Sequence, residues 1–261
     1  MREKEVFMAL VELDYRSQAL GYHEELVIIL PDTDPAPKYP VLWLFHGANE
    51  DCTEWLRDTS IERYAKKRGL AVICPSISNG HGMDMVHGMK YWTMLSEELP
   101  AAMHFMFPCL SEKREDNFTA GASMGGYVAY KLALNYPEKF AAAGAFAGAL
   151  DIVEIVRLFN KELGERNPFE NAFGQAEDIA GTNNDIIDLA GKLVSDGKDV
   201  PRLWSMVGEQ DFGVDQVRGA VRKFREKGVA IDDFYEMGIH SFDLWDRYVE
   251  RFFDWLGLPK L

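Results

Sequence analysis

Residues 117–126 read NFTAGASMGG, and the five residues centred on Ser123 match the pattern G-x-S-x-G. A buried strand is predicted at 117–120 and a helix is predicted after the serine, so the pattern falls in a strand-to-helix turn. Small residues two positions before and after the serine let the backbone turn sharply and project the hydroxyl above a sheet. The stretch predicts a nucleophilic Ser123, and the alternative is a chance match in a glycine-rich turn.

Apolar and amphipathic segments alternate on both sides of this turn. An antiparallel pair of half-buried strands is predicted at 8–15 and 24–30. Further buried strands of a parallel sheet are predicted at 41–45, 70–74, 141–147, 203–207 and 231–237. Helices are predicted at 61–68, at 94–107, through 217–224 and at 244–256. The alternation is typical of an α/β fold with a mostly parallel central sheet flanked by helices, and we expect one domain over 1–261.

Two local patterns add detail to this fold. Residues 151–200 carry helical patterns and turn signals but no convincing strand, which predicts a small helical cap inserted into the domain. For the helix at 61–68, Thr59 and Glu62 have the spacing of a capping box. Gly69 then suits the left-handed position after the helix.

A serine hydroxyl needs a histidine base, and the base needs a carboxylate that fixes its tautomer. When the nucleophile lies in a G-x-S-x-G turn, the partners follow in the chain order serine, acid, histidine, after the last two strands. His240 follows the strand at 231–237, and Asp211 follows the strand at 203–207. Glu209 and Asp215 are rival acids, and Asp211 could instead cap the next helix. The sequence thus predicts a triad of Ser123, Asp211 and His240.

The segment after the strand at 41–45 reads His46-Gly47-Ala48. In this architecture the turn after that strand supplies one donor of the oxyanion hole, and the residue after the nucleophile supplies the other. We therefore expect the backbone N–H groups of Ala48 and Met124 to bind the oxyanion. The side chain of His46 is expected to form hydrogen bonds within the turn.

The composition excludes several classes of partner. With 42 acidic and 28 basic residues the formal charge is −14, which repels nucleic acids and anionic membranes. Three scattered cysteines predict neither a disulfide framework nor a zinc site, and no metal or cofactor is expected. The N-terminal residues have no signal-peptide pattern, and no apolar run is long enough to span a bilayer. We expect a cytoplasmic protein that acts on a small molecule, and a homo-oligomer is left open.

Several stretches together carry a family resemblance that covers nearly the whole chain: HGANEDCTEW (46–55), ISNG (77–80), KYWTMLSEELP (90–100), AGASMGGY (120–127), GEQDF (208–212) and GIHSFDLWDRY (238–248). They resemble the tributyrin esterase branch of the esterase D-like α/β-hydrolases, which is related to bacterial acetyl and feruloyl esterases and to S-formylglutathione hydrolases. The resemblance implies an α/β-hydrolase fold with the same triad and oxyanion donors.

The resemblance also implies where the substrate binds. Gly47, Tyr91 and Trp92 fall in segments that approach the substrate in the family, although ordinary core packing is an equal alternative for the two aromatic residues. Two positions depart from the pattern, since Glu50 replaces a glycine and Phe242 replaces a tryptophan. Both departures affect the expected pocket entrance and neither removes a reacting group.

Three functions are compatible with these observations. The first is a metal-free serine carboxylesterase that cleaves short acyl esters, among them acetylated or feruloylated sugars, through an acyl-serine intermediate. The second is a thioesterase like S-formylglutathione hydrolase, which would use the same triad. The third is a binding module that keeps the fold without turnover.

Overall fold

The computed structural model describes residues 7–32, 37–163 and 167–261. Eight strands form one sheet: β1 Phe7–Arg16, β2 His23–Asp32, β3 Val41–Phe45, β4 Ala71–Pro75, β5 Asn117–Ala122, β6 Ala142–Phe146, β7 Arg202–Gly208 and β8 Ile231–Glu236. Their order in the sheet is β1-β2-β4-β3-β5-β6-β7-β8. The pairs β1–β2 and β2–β4 are antiparallel, and the other five pairs are parallel. The predicted mostly parallel sheet is confirmed.

Helices flank this sheet and connect its strands. They are α1 Glu54–Asp58, α2 Ile61–Lys66, α3 Tyr91–Thr93, α4 Leu99–Met106, α5 Met124–Asn135, α6 Ile152–Leu163, α7 Pro168–Phe173, α8 Ala176–Ile179, α9 Ile186–Ser195, α10 Val214–Glu226 and α11 Phe242–Leu256. A π-helical segment, Met94–Glu98, joins α3 to α4, and a 3₁₀ turn, Arg114–Asp116, precedes β5. None of the helices in the described ranges is both long enough and apolar enough to cross a membrane.

The centre of the sheet is buried on both faces, as its apolar sequence predicts. Every residue of β3, β4, β5 and β6 is buried. Helix α5 is buried along its length, from Met124 to Leu134. Helix α11 buries one side, because Trp245, Val249 and Phe252 recur at helical spacing and pack into the core. The parallel strands therefore end together at one well-supported edge of the sheet.

The predicted capping box at the start of α2 is wrong. The helix begins after Ser60, and the Thr59 hydroxyl bonds locally, donating to the Trp55 carbonyl and accepting from the N–H of Ile61 at 3.1 Å. The N–H of Ser60 instead donates to the carboxylate of Asp246 in α11, at 2.7 Å. The carboxylate of Asp246 thus accepts the N–H that the side chain of a local capping box would have bound. No short-range spacing in the sequence could indicate this contact. Gly69 adopts the expected left-handed conformation, with φ of 58°.

The helix predicted at 94–107 begins three residues earlier and changes its geometry on the way. Pro100 has no N–H to donate to the carbonyl four residues before it, and its ring would clash with that carbonyl in a regular α-helix. The π-helical turn at Met94–Glu98 lies immediately before this proline. Such an insertion is a common way to accommodate a break in the helical hydrogen-bond ladder.

Between β6 and β7 the structure contains α6, α7, α8 and α9, and no strand occurs in the described residues of 151–200. Helix α6 packs on α7 and α8, whereas α9 packs on α5 and α10 beside the sheet. Residues 164–166 of the predicted cap lie outside the described residues, as do 1–6 and 33–36 of the predicted domain. The assignment of 151–200 as a cap stays a prediction.

Candidate active site

Ser123 lies in a strained turn between β5 and α5. Its backbone angles are φ 50° and ψ −112°, a conformation that residues other than glycine rarely adopt. A Cβ atom on Gly121 would lie 2.4 Å from the backbone of Gly125, and a Cβ on Gly125 would lie 2.4 Å from the carbonyl oxygen of Phe45. Both positions of the motif therefore need glycine, because a side chain at either would separate β3, β5 and α5.

Backbone hydrogen bonds with the end of β6 and the segment after it hold this turn in place. The N–H of Ser123 donates to the carbonyl of Phe146 at 2.8 Å, and its carbonyl accepts from the N–H of Ala149 at 3.0 Å. The neighbouring strand thus fixes the strained conformation. The serine side chain is half-buried at the edge where the parallel strands end.

Asp211 and His240 form a direct hydrogen-bonded pair. The distance from His240 Nδ1 to Asp211 Oδ2 is 2.7 Å, with the aspartate side chain 1% exposed and the histidine side chain 21% exposed. The other oxygen, Oδ1, accepts from the N–H of Gly213 at 2.7 Å. Asp211 therefore supports the start of α10 and orients the histidine at the same time. The N-cap residue of α10 is Gly213, so the alternative that Asp211 itself caps this helix is not observed.

The rival acids are engaged elsewhere. Glu209 pairs with Arg218, and Asp215 lies 3.7 Å from the same guanidinium with its side chain 94% exposed. Neither has a hydrogen bond to His240 among the described residues. Geometry thus distinguishes Asp211 from its two neighbours, which the sequence could not do.

Contacts between the loops after β7 and β8 bring the pair together. The N–H of Gln210 donates to the carbonyl of Gly238 at 2.9 Å, and the N–H of Glu209 donates to the carbonyl of Glu236 at 2.8 Å. A Cβ on Gly208 would lie 2.2 Å from the Gly238 oxygen. The two loops can approach this closely only because glycine ends β7.

Aromatic rings surround the histidine. Its ring centroid lies 4.6 Å from that of Phe212, which is 86% exposed, and 4.9 Å from that of Trp245. Phe242, where the related pattern has tryptophan, packs edge-on against Trp55 and Trp245 at 5.2 and 4.7 Å. This departure therefore contributes to an internal aromatic cluster.

No hydrogen bond joins Ser123 Oγ to His240 among the residues that the structure describes. Hydrogen bonds between a nucleophile and its base are often long in an unliganded enzyme and shorten when substrate binds. The two side chains follow strands of one sheet at the same edge, separated only by β6 and β7. Ser123, Asp211 and His240 thus all follow strands that end at this edge, and their joint action as a triad stays a prediction.

The peptide between Gly47 and Ala48 is fixed by the ring of His46. The Nε2 atom accepts from the N–H of Ile77 at 3.0 Å, so Nδ1 carries the proton and donates to the Gly47 carbonyl at 2.7 Å. That carbonyl belongs to the same peptide unit as the N–H of Ala48. Burial lowers the pKa of His46, which keeps the ring neutral. His46 therefore acts within the turn, as expected, and orients the Ala48 N–H.

The second expected oxyanion donor lies at the start of a helix. Met124 is the first residue of α5, and the first N–H groups of a helix have no acceptor within it. After Ala48 the loop continues through Asn49, which has φ of 66°. Its N–H donates to Asn79 Oδ1 at 2.8 Å, and Asn79 Nδ2 donates back to Asn49 Oδ1 at 2.9 Å. This reciprocal amide pair holds the loop.

The side chain of Glu50 binds back to the start of the same loop. Its Oε2 atom accepts from the N–H of Gly47 at 2.6 Å. Burial raises the pKa of the Glu50 carboxyl, while this hydrogen bond acts in the opposite direction. The sequence marked Glu50 only as a departure from the related pattern, and gave no sign of its bond to Gly47.

Tyr91 lies near residues 46–50, the segment called here the oxyanion loop because it carries the expected donor Ala48. Its ring lies 2.1 Å from where a Cβ of Gly80 would stand, so only glycine fits there. Tyr91 also lines a cavity of about 320 Å³ together with Asn79, the partner of Asn49. Its hydroxyl lies 2.9 Å from that of Tyr22.

Trp92 has different surroundings. Lys131 Nζ lies 4.1 Å from the centroid of its ring, and the ring of Tyr136 stacks on it with centroids 6.0 Å apart. Tyr136 follows the last residue of α5, whereas Ser123 precedes the first. The structure does not bring Trp92 together with the predicted triad, and its contacts are those of core packing.

A buried basic pair, His81 and Lys131, lies between the segment after β4 and α5. Lys131 donates to the carbonyl of Gly82 at 2.8 Å, and burial lowers its pKa to about 7. Burial, with a smaller contribution from the Lys131 charge, lowers the pKa of His81 to about 4. The His81 ring packs between Phe169 and Phe173, each 5.0 Å away between centroids.

We expect His81 to make the folded state sensitive to acid. In the unfolded chain the imidazole of His81 becomes protonated near pH 6.5, whereas in the folded chain it becomes protonated only near pH 4. The free energy of unfolding should therefore fall as the pH decreases between these values, by about 3 kcal/mol from this residue. Urea unfolding from pH 4.5 to 7.5 measures the slope. His81 has φ of 50°, which asparagine tolerates. In His81→Asn, which has no titrating group at this position, the slope should be shallower; an unchanged slope would contradict the assignment.

The sheet order, the strained serine turn and the acid–histidine pair after the last two strands define the class of α/β-hydrolases. Within that class the chain belongs to the esterase family, since its residues 17–254 match the family described as "Putative esterase". The predicted kinship with the esterase D-like proteins is confirmed, and the chain is a serine esterase. The binding-module alternative is not supported by this membership.

Individual relatives are similar over nearly the full chain. An acetyl esterase from Caldicellulosiruptor saccharolyticus is 26% identical over 263 residues, which cover 96% of this chain and 98% of that protein. The substrate-bound structure of the Staphylococcus aureus fluorophosphonate-binding serine hydrolase F is 32% identical, with a TM-score of 0.84 and coverage of 95% and 98%. The S-formylglutathione hydrolase FrmB from the same organism is also 32% identical, with a TM-score of 0.84 and coverage of 96% and 99%.

Proposed function

We propose that this serine esterase hydrolyses short-chain acyl esters of small molecules through a triad of Ser123, His240 and Asp211. The observation that carries the proposal is the 2.7 Å hydrogen bond between His240 and a buried Asp211, at the sheet edge that also presents the strained serine. A buried carboxylate bound to Nδ1 leaves Nε2 without a proton and able to act as a base.

The reaction would proceed in two halves. In the first, His240 Nε2 takes the Ser123 proton as Oγ attacks the acyl carbon, and the resulting imidazolium returns the proton to the departing alcohol. In the second, His240 takes a proton from water as the water oxygen attacks the acyl-serine; the imidazolium then returns this proton to Ser123 Oγ as the bond between Oγ and the acyl carbon breaks and the carboxylic acid leaves. Asp211 stabilises the imidazolium in both halves.

The oxyanion that forms in each half would be bound by the backbone N–H groups of Ala48 and Met124. His46 fixes the first of these groups and the start of α5 presents the second. Donors that are in place before the reaction need no rearrangement as the charge develops, and each typically lowers the barrier by about 3 kcal/mol. We propose Gly47 and Tyr91 as neighbours of the bound substrate, whereas the surroundings of Trp92 favour core packing.

Two considerations support the proposed substrates: the name of a similar protein and the expected location of this one. The similar acetyl esterase acts on acetyl groups by its name, and acetylated or feruloylated sugars small enough to reach the cytoplasm would suit a cytoplasmic enzyme. A thioesterase remains the second candidate, since FrmB, named an S-formylglutathione hydrolase, is 32% identical. The leaving group distinguishes the two functions.

We expect kcat/KM to be highest for p-nitrophenyl acetate or butyrate and at least about 10-fold lower for the octanoate, since an acyl site suited to short chains loses about 1 kcal/mol or more for each methylene that it cannot accommodate. Initial rates with purified protein across the acetate-to-octanoate series measure this. Values that rise with chain length would contradict the short-chain proposal. In the same buffer, a specificity constant for S-formylglutathione above that for the acetate would favour the thioesterase.

A further inference from the structure

Glu50 is the carboxylate held on the oxyanion loop itself. Its Oε2 atom binds the Gly47 N–H at 2.6 Å, and a Cβ on Gly47 would lie 2.9 Å from that oxygen. The charge of His240 is one of the smaller influences on the pKa of the Glu50 carboxyl, which it lowers. The carboxylate is therefore bound to the loop that would bind the oxyanion and lies within electrostatic range of the histidine that would protonate the leaving group.

The charges around Glu50 are mostly of the same sign. The charges of Glu54 and Asp58 in α1 raise the pKa of Glu50, and Asp51 follows Glu50 in the loop. The cation of α1, Arg57, lies 3.6 Å from Glu54 and is paired with it. On the histidine side, Arg218 is paired with Glu209 and Asp215. Within the described part of the chain, the charged side chains with the largest effects on the pKa of Glu50 are Glu54, His240 and Asp58, none of which is a lysine or an arginine.

The cavity beside the oxyanion loop offers no compensating cation. The described residues that line its 320 Å³ are all uncharged, and their polar members, such as Ser78, Asn79 and Asn171, are hydroxyl and amide groups. Hydroxyls and amides suit neutral hydrogen-bonding ligands. A carboxylate would find no cationic partner among these lining residues.

We propose that Glu50 selects the leaving group by charge: esters of neutral or cationic alcohols are accepted, and esters or thioesters whose leaving group bears a carboxylate are disfavoured. The inference rests on the proposed function and narrows its substrate class. Neutral polyhydroxyl compounds satisfy it. Glutathione, which carries two carboxylates and one ammonium group, does not.

Three acetate esters of meta-substituted phenols test this selection: 3-acetoxybenzoate, 3-acetoxybenzamide and 3-acetoxy-N,N,N-trimethylanilinium. They share an acyl group and differ chiefly in the charge of the leaving group. Each kcat/KM is measured for wild type and Glu50→Gln, in which an amide oxygen can still accept the Gly47 N–H bond. Comparing each ester between the two proteins cancels its intrinsic reactivity.

Glu50→Gln is expected to raise the benzoate-to-benzamide ratio of kcat/KM about 10-fold and to lower the anilinium-to-benzamide ratio by a similar factor, because one nearby charge is removed in a partly solvated site. In wild type, raising the salt concentration from 20 to 500 mM should reduce the same preferences, since the Debye length shortens. The salt series needs no variant and tests the inference even if Glu50→Gln does not fold.

Asp199→Asn is the matched control. It removes one negative charge from a side chain that is 92% exposed, beside Arg114 at the opposite end of the parallel strands. Its ratios should equal those of wild type. The inference would be overturned if Glu50→Gln lowered kcat/KM equally for all three esters. It would also be overturned if the ratios of kcat/KM between the esters changed neither in Glu50→Gln nor with salt concentration. If wild type fails to hydrolyse the neutral ester in a Ser123-dependent manner, the proposed function itself is wrong.

Discussion

Replacing Ser123 with alanine is expected to lower kcat for p-nitrophenyl acetate by about 10⁶-fold and to abolish labelling by a fluorophosphonate probe. The substitution removes only the oxygen atom that would attack the acyl carbon or the phosphorus. The backbone of residue 123 is fixed by its bonds to Phe146 and Ala149, so the fold should survive. Gel fluorescence of the labelled protein and stopped-time assays at high enzyme concentration measure the two effects.

The control for this experiment is Ser195→Ala, at the end of α9 and remote from the turn. It should label and turn over like wild type. Labelling that persists in Ser123→Ala, with an unchanged thermal unfolding curve, would show that another residue is the nucleophile. Loss of labelling together with loss of the folded state would call for Ser123→Cys, whose thiol retains a nucleophile at the same position.

Asp211→Asn is expected to give the second largest effect, a decrease in kcat of about 10⁴-fold at neutral pH. The amide has the shape of the carboxylate, but it cannot stabilise an imidazolium, and its NH₂ group favours the tautomer with the proton on Nε2. That proton would block the nitrogen that must accept from Ser123. The variant should fold, because the amide oxygen can still accept from the N–H of Gly213.

The rival acids provide matched controls. Glu209→Gln and Asp215→Asn remove one charge each within four residues of Asp211, from side chains that bind Arg218. We expect kcat to change by no more than about 3-fold in either, as is usual for exposed ion pairs. If one of them fell as far as Asp211→Asn, the acid would have been assigned to the wrong residue.

The positions of the strands along the chain and the three residues of the proposed triad could be predicted because each has a strong local signal. Ser123 lies within a pentapeptide motif, and Asp211 and His240 follow apolar runs whose length and composition mark buried strands. The sequence alone leaves Glu209 as a rival of Asp211. The choice between them depends on the direction of side chains in a turn, which the bond to Gly213 fixes.

The features that the sequence missed are contacts between loops far apart in the chain. The amide pair of Asn49 and Asn79 spans 30 residues, and the cap of α2 by Asp246 joins residues 186 apart. Neither follows a helical or strand period, so neither has a sequence signal. The misplaced cap at Thr59 has the same origin, since a correct local spacing was overridden by a tertiary contact.

The strained turn at Ser123 also bears on how this enzyme could be altered by selection. A non-glycine residue at positive φ costs about 1 to 2 kcal/mol, and a glycine at position 123 would be free of that cost. Glycine, which relieves this strain, cannot form an acyl-enzyme. A library ranked only by thermal tolerance could therefore lose the proposed nucleophile, so mutagenesis for thermal stability should also select for turnover at every round.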